Sequence, residues 1–283
     1  MADKTSKPWR LAAGREIDCA VDRIAGIVNV TPDSFYDGGR HDTVAAAVAH
    51  GLGLVRDGAD MLDVGGESTR PGAAPVSEDQ EIARVVPVIA GLAGALPGLP
   101  LSVDTYRAGC AATALAAGAA IVNDVSACAF DPGLLDVVAG EKPGYVLMHS
   151  LGRPDVMQND PRYVDVVADI LAFFEAKLTM LVAAGLPEDH IVLDPGIGFG
   201  KRPEHNLAIL RHIDRFLCFG RPVYLGLSNK AFFGVLCGLP VGERKLATAI
   251  ASALCSARGA RIHRVHDAAS VKTALGLAAS LAA

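Results

Sequence analysis

Asp104, Asn123 and Asp194 each close a short apolar run, in Leu-Ser-Val-Asp104, Ile-Val-Asn123 and Ile-Val-Leu-Asp194. Carboxylates only accept hydrogen bonds, whereas an amide both donates and accepts. Together they suit a flat heterocycle carrying an amino group beside ring N–H groups, such as a 2-amino-4-oxopyrimidine edge. Lys230, in Ser228-Asn-Lys230, supplies the complementary donor to a ring carbonyl. Two further runs lead into cations, at Glu67-Ser-Thr-Arg70 and at Arg264-Val-His266. An arginine fork matches phosphate oxygens, and histidine adds a donor. Asn29, in Val28-Asn-Val-Thr-Pro-Asp-Ser-Phe35, is a neutral oxygen that could help hold Mg2+ once phosphate oxygens and water complete the shell. Taken singly, each strand-end Asp reads equally well as a loop cap, and each Arg as a surface ion pair. The recurrence at strand ends favours a ligand.

Asp194-Pro-Gly-Ile-Gly-Phe-Gly-Lys201 is not a nucleotide loop. A Walker A sequence needs Gly at 195 and Ser or Thr at 202, where Pro195 and Arg202 stand, and G-x-G-x-x-G is absent. The segment reads as a strand-end carboxylate followed by a Gly-rich turn that lets backbone approach a flat ligand. No Ser/His/Asp triad or Cys/His pair is suggested by spacing.

The elements that must position these residues follow from their repetition. Eight apolar runs, at 24–30, 59–64, 99–103, 120–122, 145–148, 191–193, 223–227 and 262–265, alternate with stretches long enough for helices. Helical patterning is clearest at 43–57, 78–95, 106–117, 162–184, 204–212, 243–258 and 267–281, with a short helix at 131–140. Ser77 followed by Gln80 fits a capping box. A single α/β domain over 1–283, a (β/α)8 barrel, would bring every strand C-terminus to one rim. Residues 1–22 form an N-terminal extension in which Trp9–Leu11 and Ile17–Val21 could close the barrel bottom as a hairpin. Apolar residues make up 51% of the chain but aromatics only 5%, so the core must be aliphatic, as in strands buried on both faces. The long connections 31–42 and 65–76 follow strand C-termini, where lids belong.

A net charge of −5 without Lys/Arg runs argues against nucleic acid as the main partner. No apolar segment approaches the ~20 residues of a membrane span. The start, Met-Ala-Asp-Lys-Thr-Ser-Lys, lacks a signal-peptide core, and the six cysteines show no metal or disulfide spacing. A reduced, cytoplasmic protein is expected.

The segments Gly26–Gly39, Gly58–Gly72, Ser102-Val-Asp-Thr105, Val122-Asn-Asp-Val-Ser126, Leu147-Met-His149, Leu193–Lys201 and Arg264-Val-His-Asp267, in this order, closely resemble dihydropteroate synthases. The resemblance spans about residues 20–275 and implies a (β/α)8 barrel, usually a homodimer. It also implies a reaction in which p-aminobenzoate displaces Mg2+-bound diphosphate from (7,8-dihydropterin-6-yl)methyl diphosphate. Carried over, Asp104, Asn123, Asp194 and Lys230 read the pterin edge, while Phe199 and Met148 line its slot. Arg70, Arg264 and His266 hold the diphosphate, with Asn29 on the Mg2+. Phe35, Thr69 and Pro71 lie on the loops shaping the p-aminobenzoate site. The family usually reads Ser-Arg-Lys, often followed by Ser, where this chain has Ser228-Asn229-Lys230-Ala231. That departure falls where the p-aminobenzoate carboxylate is expected, leaving Ser228 and the backbone N–H groups of the following helix to hold it.

Overall fold

Period-two alternation along the apolar runs decides which side chains enter the barrel. The computed structural model describes residues 8–31, 40–68 and 75–282. Two short strands, β1 (Trp9–Arg10) and β2 (Glu16–Ile17), pair antiparallel as a hairpin. The apolar runs follow as parallel strands: β3 (Arg23–Asn29), β4 (Met61–Gly65), β5 (Leu101–Asp104), β6 (Ile121–Asp124), β7 (Gly144–Met148), β8 (Ile191–Asp194), β9 (Tyr224–Gly226) and β10 (Ile262–Val265). Each pairs with the next from β3 to β8, and β10 lies between β9 and β3. A parallel bridge between Leu193 and Val223 closes the ring between β8 and β9.

Helices α1 (Arg40–Arg56), α2 (Glu78–Ala95), α3 (Ala108–Ala116), α4 (Gly133–Glu141), α5 (Val166–Ala184) and α6 (Pro203–Arg211) return the chain between successive strands. After β9 the chain forms α7 (Phe232–Cys237) and α8 (Lys245–Ser256), and α9 (Ala268–Ala282) follows β10. The predicted capping box at α2 is present, Ser77 Oγ accepting from Gln80 N–H and Gln80 Oε1 from Ser77 N–H. Helix α5 begins later than the predicted residue 162 because Asp165 caps it, Oδ1 accepting from Val167 and Ala168 N–H at 2.9 and 3.1 Å. At its other end Gly185 adopts φ 112°, a left-handed stop that a side chain would resist.

Leu62 and Val64 of β4, Leu101 and Val103 of β5, and Ile191 and Leu193 of β8 face the helices in the main apolar cluster. The alternate positions face the axis. Met61, Ile121, Val146, Val192, Tyr224 and Ile262 pack there against Trp9, Leu11, Ile17 and Cys19 of the hairpin segment. The hairpin thus plugs the bottom of the barrel, and Trp9 is fully buried with Nε1 donating to the His190 carbonyl at 2.7 Å. Burying one such side chain stabilises the fold by roughly 1.5–3 kcal/mol. Two residues further along each strand the inward positions hold Asp63, Asp104, Asn123, Met148, Asp194, Gly226 and Arg264. One pleat therefore separates an apolar floor from a polar rim.

Candidate active site

The inward positions above the floor line a narrow cleft. Asp104, Asn123, Met148, Asp194, Phe199, Lys230 and Arg264 line it, so the structure brings these sequence-predicted residues together. Val125, Ile197 and Gly226 complete its apolar faces. Phe35, Thr69, Arg70 and Pro71 lie outside the described residues.

A residue that strand-end reasoning missed organises one side of this cleft. Asp63, fully buried in the middle of β4, accepts from Arg264 Nε and, at 3.0 Å, from Asn123 Nδ2. Since a carboxylate only accepts, it turns the Asn123 amide nitrogen inward and leaves Asn123 Oδ1 as the acceptor offered to a ligand. Arg264 Nη2 donates to Asp104 Oδ2 at 2.6 Å. The guanidinium is thereby locked between two carboxylates, which hold it protonated well above its ordinary range. The resemblance gives Arg264 to the diphosphate, and in the structure two of its donor directions are already fixed by the pocket wall. The signal for Asp63 was a lone charge inside the apolar Met-Leu-Asp-Val run.

On the opposite side, Asp194 Oδ1 accepts from Gly196 N–H at 2.8 Å. The Lys230 ammonium lies 4.4 Å from the centroid of the Phe199 ring. The glycines of this loop serve protein packing more than ligand approach. A Cβ on Gly196, at φ 68°, would sit 1.9 Å from the His149 carbonyl oxygen. Lys201, almost fully buried, donates to His149 Nδ1, the His149 carbonyl and the Phe199 carbonyl at 2.9, 3.2 and 2.9 Å. The β6 turn is likewise held from behind, because buried Asp124 accepts from Ser126 N–H, Cys128 N–H and the Tyr145 hydroxyl at 2.6–2.7 Å. That carboxylate holds Ala127 and Cys128 at positive φ, 54° and 59°, a conformation side chains disfavour.

Ser228 and His266, expected on different substrates, are partners. His266 Nδ1 lies 2.8 Å from Ser228 Oγ, which also accepts from His266 N–H at 3.2 Å. Asn229 adopts φ 58°, a left-handed conformation that asparagine tolerates better than most residues. Its carbonyl accepts from Arg244 Nη1 at 3.1 Å. The start of α7 offers fewer free amides than expected, since Phe233 and Gly234 N–H already donate to the Lys230 and Ala231 carbonyls. Arg107 joins the two borders of segment 69–74, pairing with Glu67 Oε2 at 2.6 Å and donating to the Val76 carbonyl at 2.6 Å.

Burial sets the ionisation of the cleft. It raises Asp194 from 3.8 to about 6 and Asp104 from 3.8 to about 7, the latter against the pull of Arg264 and with Asp63 adding to the rise. It lowers Lys230 to about 8 and Lys201 to about 7. Raised carboxyls make the folded chain hold protons that the unfolded chain has lost, so their contribution to stability falls as pH rises from 3.8 to about 7. Depressed lysines act oppositely, and their contribution recovers as pH rises from about 7 toward 10.5. Ligand-free protein is therefore expected to draw least stability from these four groups near neutral pH. Scanning calorimetry of wild type against Lys201→Met should show the variant's relative stability greatest at pH 5–7 and shrinking by pH 10. A difference independent of pH would contradict this.

The geometry defines an α/β barrel whose rim gathers two carboxylates, an amide and a lysine around one cleft. Residues 25–266 match the family model described as pterin binding enzyme. A dihydropteroate synthase of Neisseria meningitidis serogroup B is 44% identical over 271 residues, 93% of this chain and 94% of that protein. The dihydropteroate synthase of Xanthomonas albilineans solved with 4-aminobenzoic acid superposes with a TM-score of 0.91 at 44% identity, covering 98% of this chain and 99% of that one. The same enzyme with 7,8-dihydropteroate gives a TM-score of 0.87 at 42% identity, over 97% and 99%. The chain belongs to the pterin-binding enzymes and, among them, to the dihydropteroate synthase family.

Proposed function

We propose that this chain transfers the dihydropterin-methyl group of (7,8-dihydropterin-6-yl)methyl diphosphate to the amine of p-aminobenzoate, giving 7,8-dihydropteroate and diphosphate. The observation that carries the reading is the convergence of Asp104, Asn123, Asp194 and Lys230 on one cleft. The 2-amino and ring N–H groups of a pterin match the carboxylates and Asn123 Oδ1, and its carbonyl matches the Lys230 ammonium. Phe199, Met148, Val125 and Ile197 supply flat apolar walls.

The arylamine nitrogen attacks the methylene carbon, a C–N bond replaces the C–O bond to diphosphate, and the amine gives up one proton. The incoming amine is the nucleophile, so the chain need not supply one. Its task is to hold the ring and to meet negative charge as it develops on the leaving group. Arg264 keeps Nη1 for that purpose, with His266 just beyond the end of β10 and Arg70 in the sequence after β4. The fit to Mg2+ is partial. Among the described residues no three His, Cys, Asp or Glu side chains cluster as a metal cage. Asn29 ends β3, the strand paired with β10, and its side-chain amide makes no hydrogen bond among the described residues. Such a lone neutral oxygen fits a Mg2+ delivered with the diphosphate. That ion would supply charge neutralisation at the departing oxygens.

The reading extends to a homodimer. Leu246, Ile250 and Leu254 repeat every fourth residue along α8 and are 70%, 51% and 63% exposed, an apolar stripe suited to a second copy. Sedimentation velocity should return twice the 29.3 kDa chain mass. No helix among the described residues is long and apolar enough to cross a membrane. The six free thiols suit the cytoplasm, where we place the protein.

The test is diphosphate release with and without p-aminobenzoate, which should be strictly dependent on the arylamine. Restoring Asn229→Arg with Ala231→Ser should lower the p-aminobenzoate KM roughly tenfold or more, since a hydrogen bond between arginine and a carboxylate is charge-assisted and worth about 1.5–3 kcal/mol. The pterin KM should stay put. A shift in the pterin constant instead would move the carboxylate site elsewhere.

A further inference from the structure

The pterin wall has a buried support that the reaction does not use. Lys201 reaches no ligand position: its ammonium is enclosed and each of its donor directions ends on protein, the Phe199 carbonyl, the His149 carbonyl and His149 Nδ1. Those acceptors belong to two different strand ends. His149 follows Met148 at the end of β7, and Phe199 belongs to the loop after β8, so Lys201 bridges the segments that carry Met148 and Phe199, two of the apolar residues of the cleft. Further side chains also hold the loop. Asn206 Oδ1 accepts from Gly198 N–H at 2.8 Å, Gln158 Nε2 donates to the Gly198 carbonyl at 2.6 Å, and the Tyr163 hydroxyl donates to the Gly200 carbonyl at 2.9 Å. Among these side chains Lys201 is the one that bonds Phe199 itself, whose N–H donates to the Gly196 carbonyl at 3.1 Å.

We propose that Lys201 is a positioning residue for the pterin, acting through Phe199: its ammonium ties the Phe199 carbonyl to the β7 end and thereby fixes the ring that forms one wall of the cleft beneath Lys230. The inference rests on the pterin reading of that cleft. A buried ammonium is expensive unless every donor is met, and here three protein acceptors meet three N–H groups. Burial and the Lys230 charge press Lys201 toward its neutral form, while Asp194 opposes them. His149 is pushed down to about 3 by burial and by Lys201, so its ring is neutral and Nδ1 is free to accept. Without the ammonium, the Phe199 and His149 carbonyls and His149 Nδ1 would lose their common donor, and the loop would be free to shift away from β7.

The test measures the affinity of the full-length enzyme for 2-amino-4-oxopteridine, through the probe's own fluorescence, in Lys201→Met, Phe199→Ala and the double variant. Lys201→Met should weaken binding at least tenfold, and the double variant should bind within twofold of Phe199→Ala alone, because the two act in series. The p-aminobenzoate KM at saturating pterin diphosphate should change less than threefold. Should Lys201→Met fail to fold, Lys201→Gln, which keeps an N–H donor at shorter reach, carries the same comparison. Losses that multiply in the double variant, or a Lys201 variant that binds as wild type, would overturn the link. A Phe199→Ala variant that binds as wild type would overturn the pocket reading itself, and this inference with it.

Discussion

Replacing Asp194 with asparagine is expected to abolish useful pterin binding and, at the same time, to raise the melting temperature of the ligand-free protein near pH 7. Both effects arise from one buried carboxylate. Asp194 is 5% exposed, and burial lifts it from 3.8 to about 6, so keeping it ionised at neutral pH costs folding free energy. An asparagine there still accepts the Gly196 N–H but carries no charge, and removing the burden should stabilise the apo protein by about 1–3 kcal/mol at pH 7. By the sign of the shift, the gain should vanish below about pH 4, where the wild-type group is protonated in both folded and unfolded chains. The ligand sees the opposite. Its N–H groups would meet an amide nitrogen in place of an anion, and losing charge-assisted bonds of about 1.5–3 kcal/mol each weakens binding by roughly 10²- to 10³-fold. Calorimetric titration with a pterin analogue and thermal scans from pH 4 to 8 read the two effects separately. Unchanged affinity would remove Asp194 from the site. A lower melting temperature at pH 7 would mean that the carboxylate supports the fold.

What could be read from the chain before its fold is explained by that residue and its neighbours. Asp104, Asn123 and Asp194 announce themselves because each ends an apolar run, and a parallel barrel sends all such ends to one rim. Asp63 has the same inward orientation but sits inside its run, so only strand register reveals that it meets Asn123 and Arg264, 60 and 201 residues away. Lys201 was visible as the end of a Gly-rich segment, yet its partner His149 lies 52 residues earlier, a pairing that depends on how the β7 and β8 ends meet. The Gly196 approach to the His149 carbonyl is equally non-local, which is why the loop looked ligand-facing in sequence. The resemblance gives Ser228 and His266 to separate substrates, and their contact across 38 residues of sequence shows only once β9 and β10 are known to be neighbours. Local chemistry was legible. Its wiring was not, because alternation and strand order set it.

That wiring makes Arg264 the residue whose loss should do the most damage. In Arg264→Ala the Asp63 and Asp104 carboxylates, 0% and 9% exposed at the side chain, would face each other without their common cation. Breaking a buried pair by removing one partner costs about 3–5 kcal/mol because charge is left uncompensated. The variant should therefore be strongly destabilised at pH 7, and less so toward pH 5, as the Asp104 carboxyl, already raised to about 7 by burial, takes up a proton. Activity should fall by roughly 10²-fold or more, since on the proposed reading Arg264 meets the charge developing on the departing diphosphate. Adding Asp63→Asn separates the two roles. The neutral amide removes one orphaned charge and still offers an oxygen to Asn123 Nδ2, so the double variant should recover much of the lost stability. It should recover almost none of the activity, and the pterin diphosphate should remain weakened more than a bare pterin. Chemical denaturation measures the first outcome, steady-state diphosphate release the second. If the second substitution restores both together, Arg264 acts only as a structural counter-ion, and the leaving group is met by His266 and Arg70 without it.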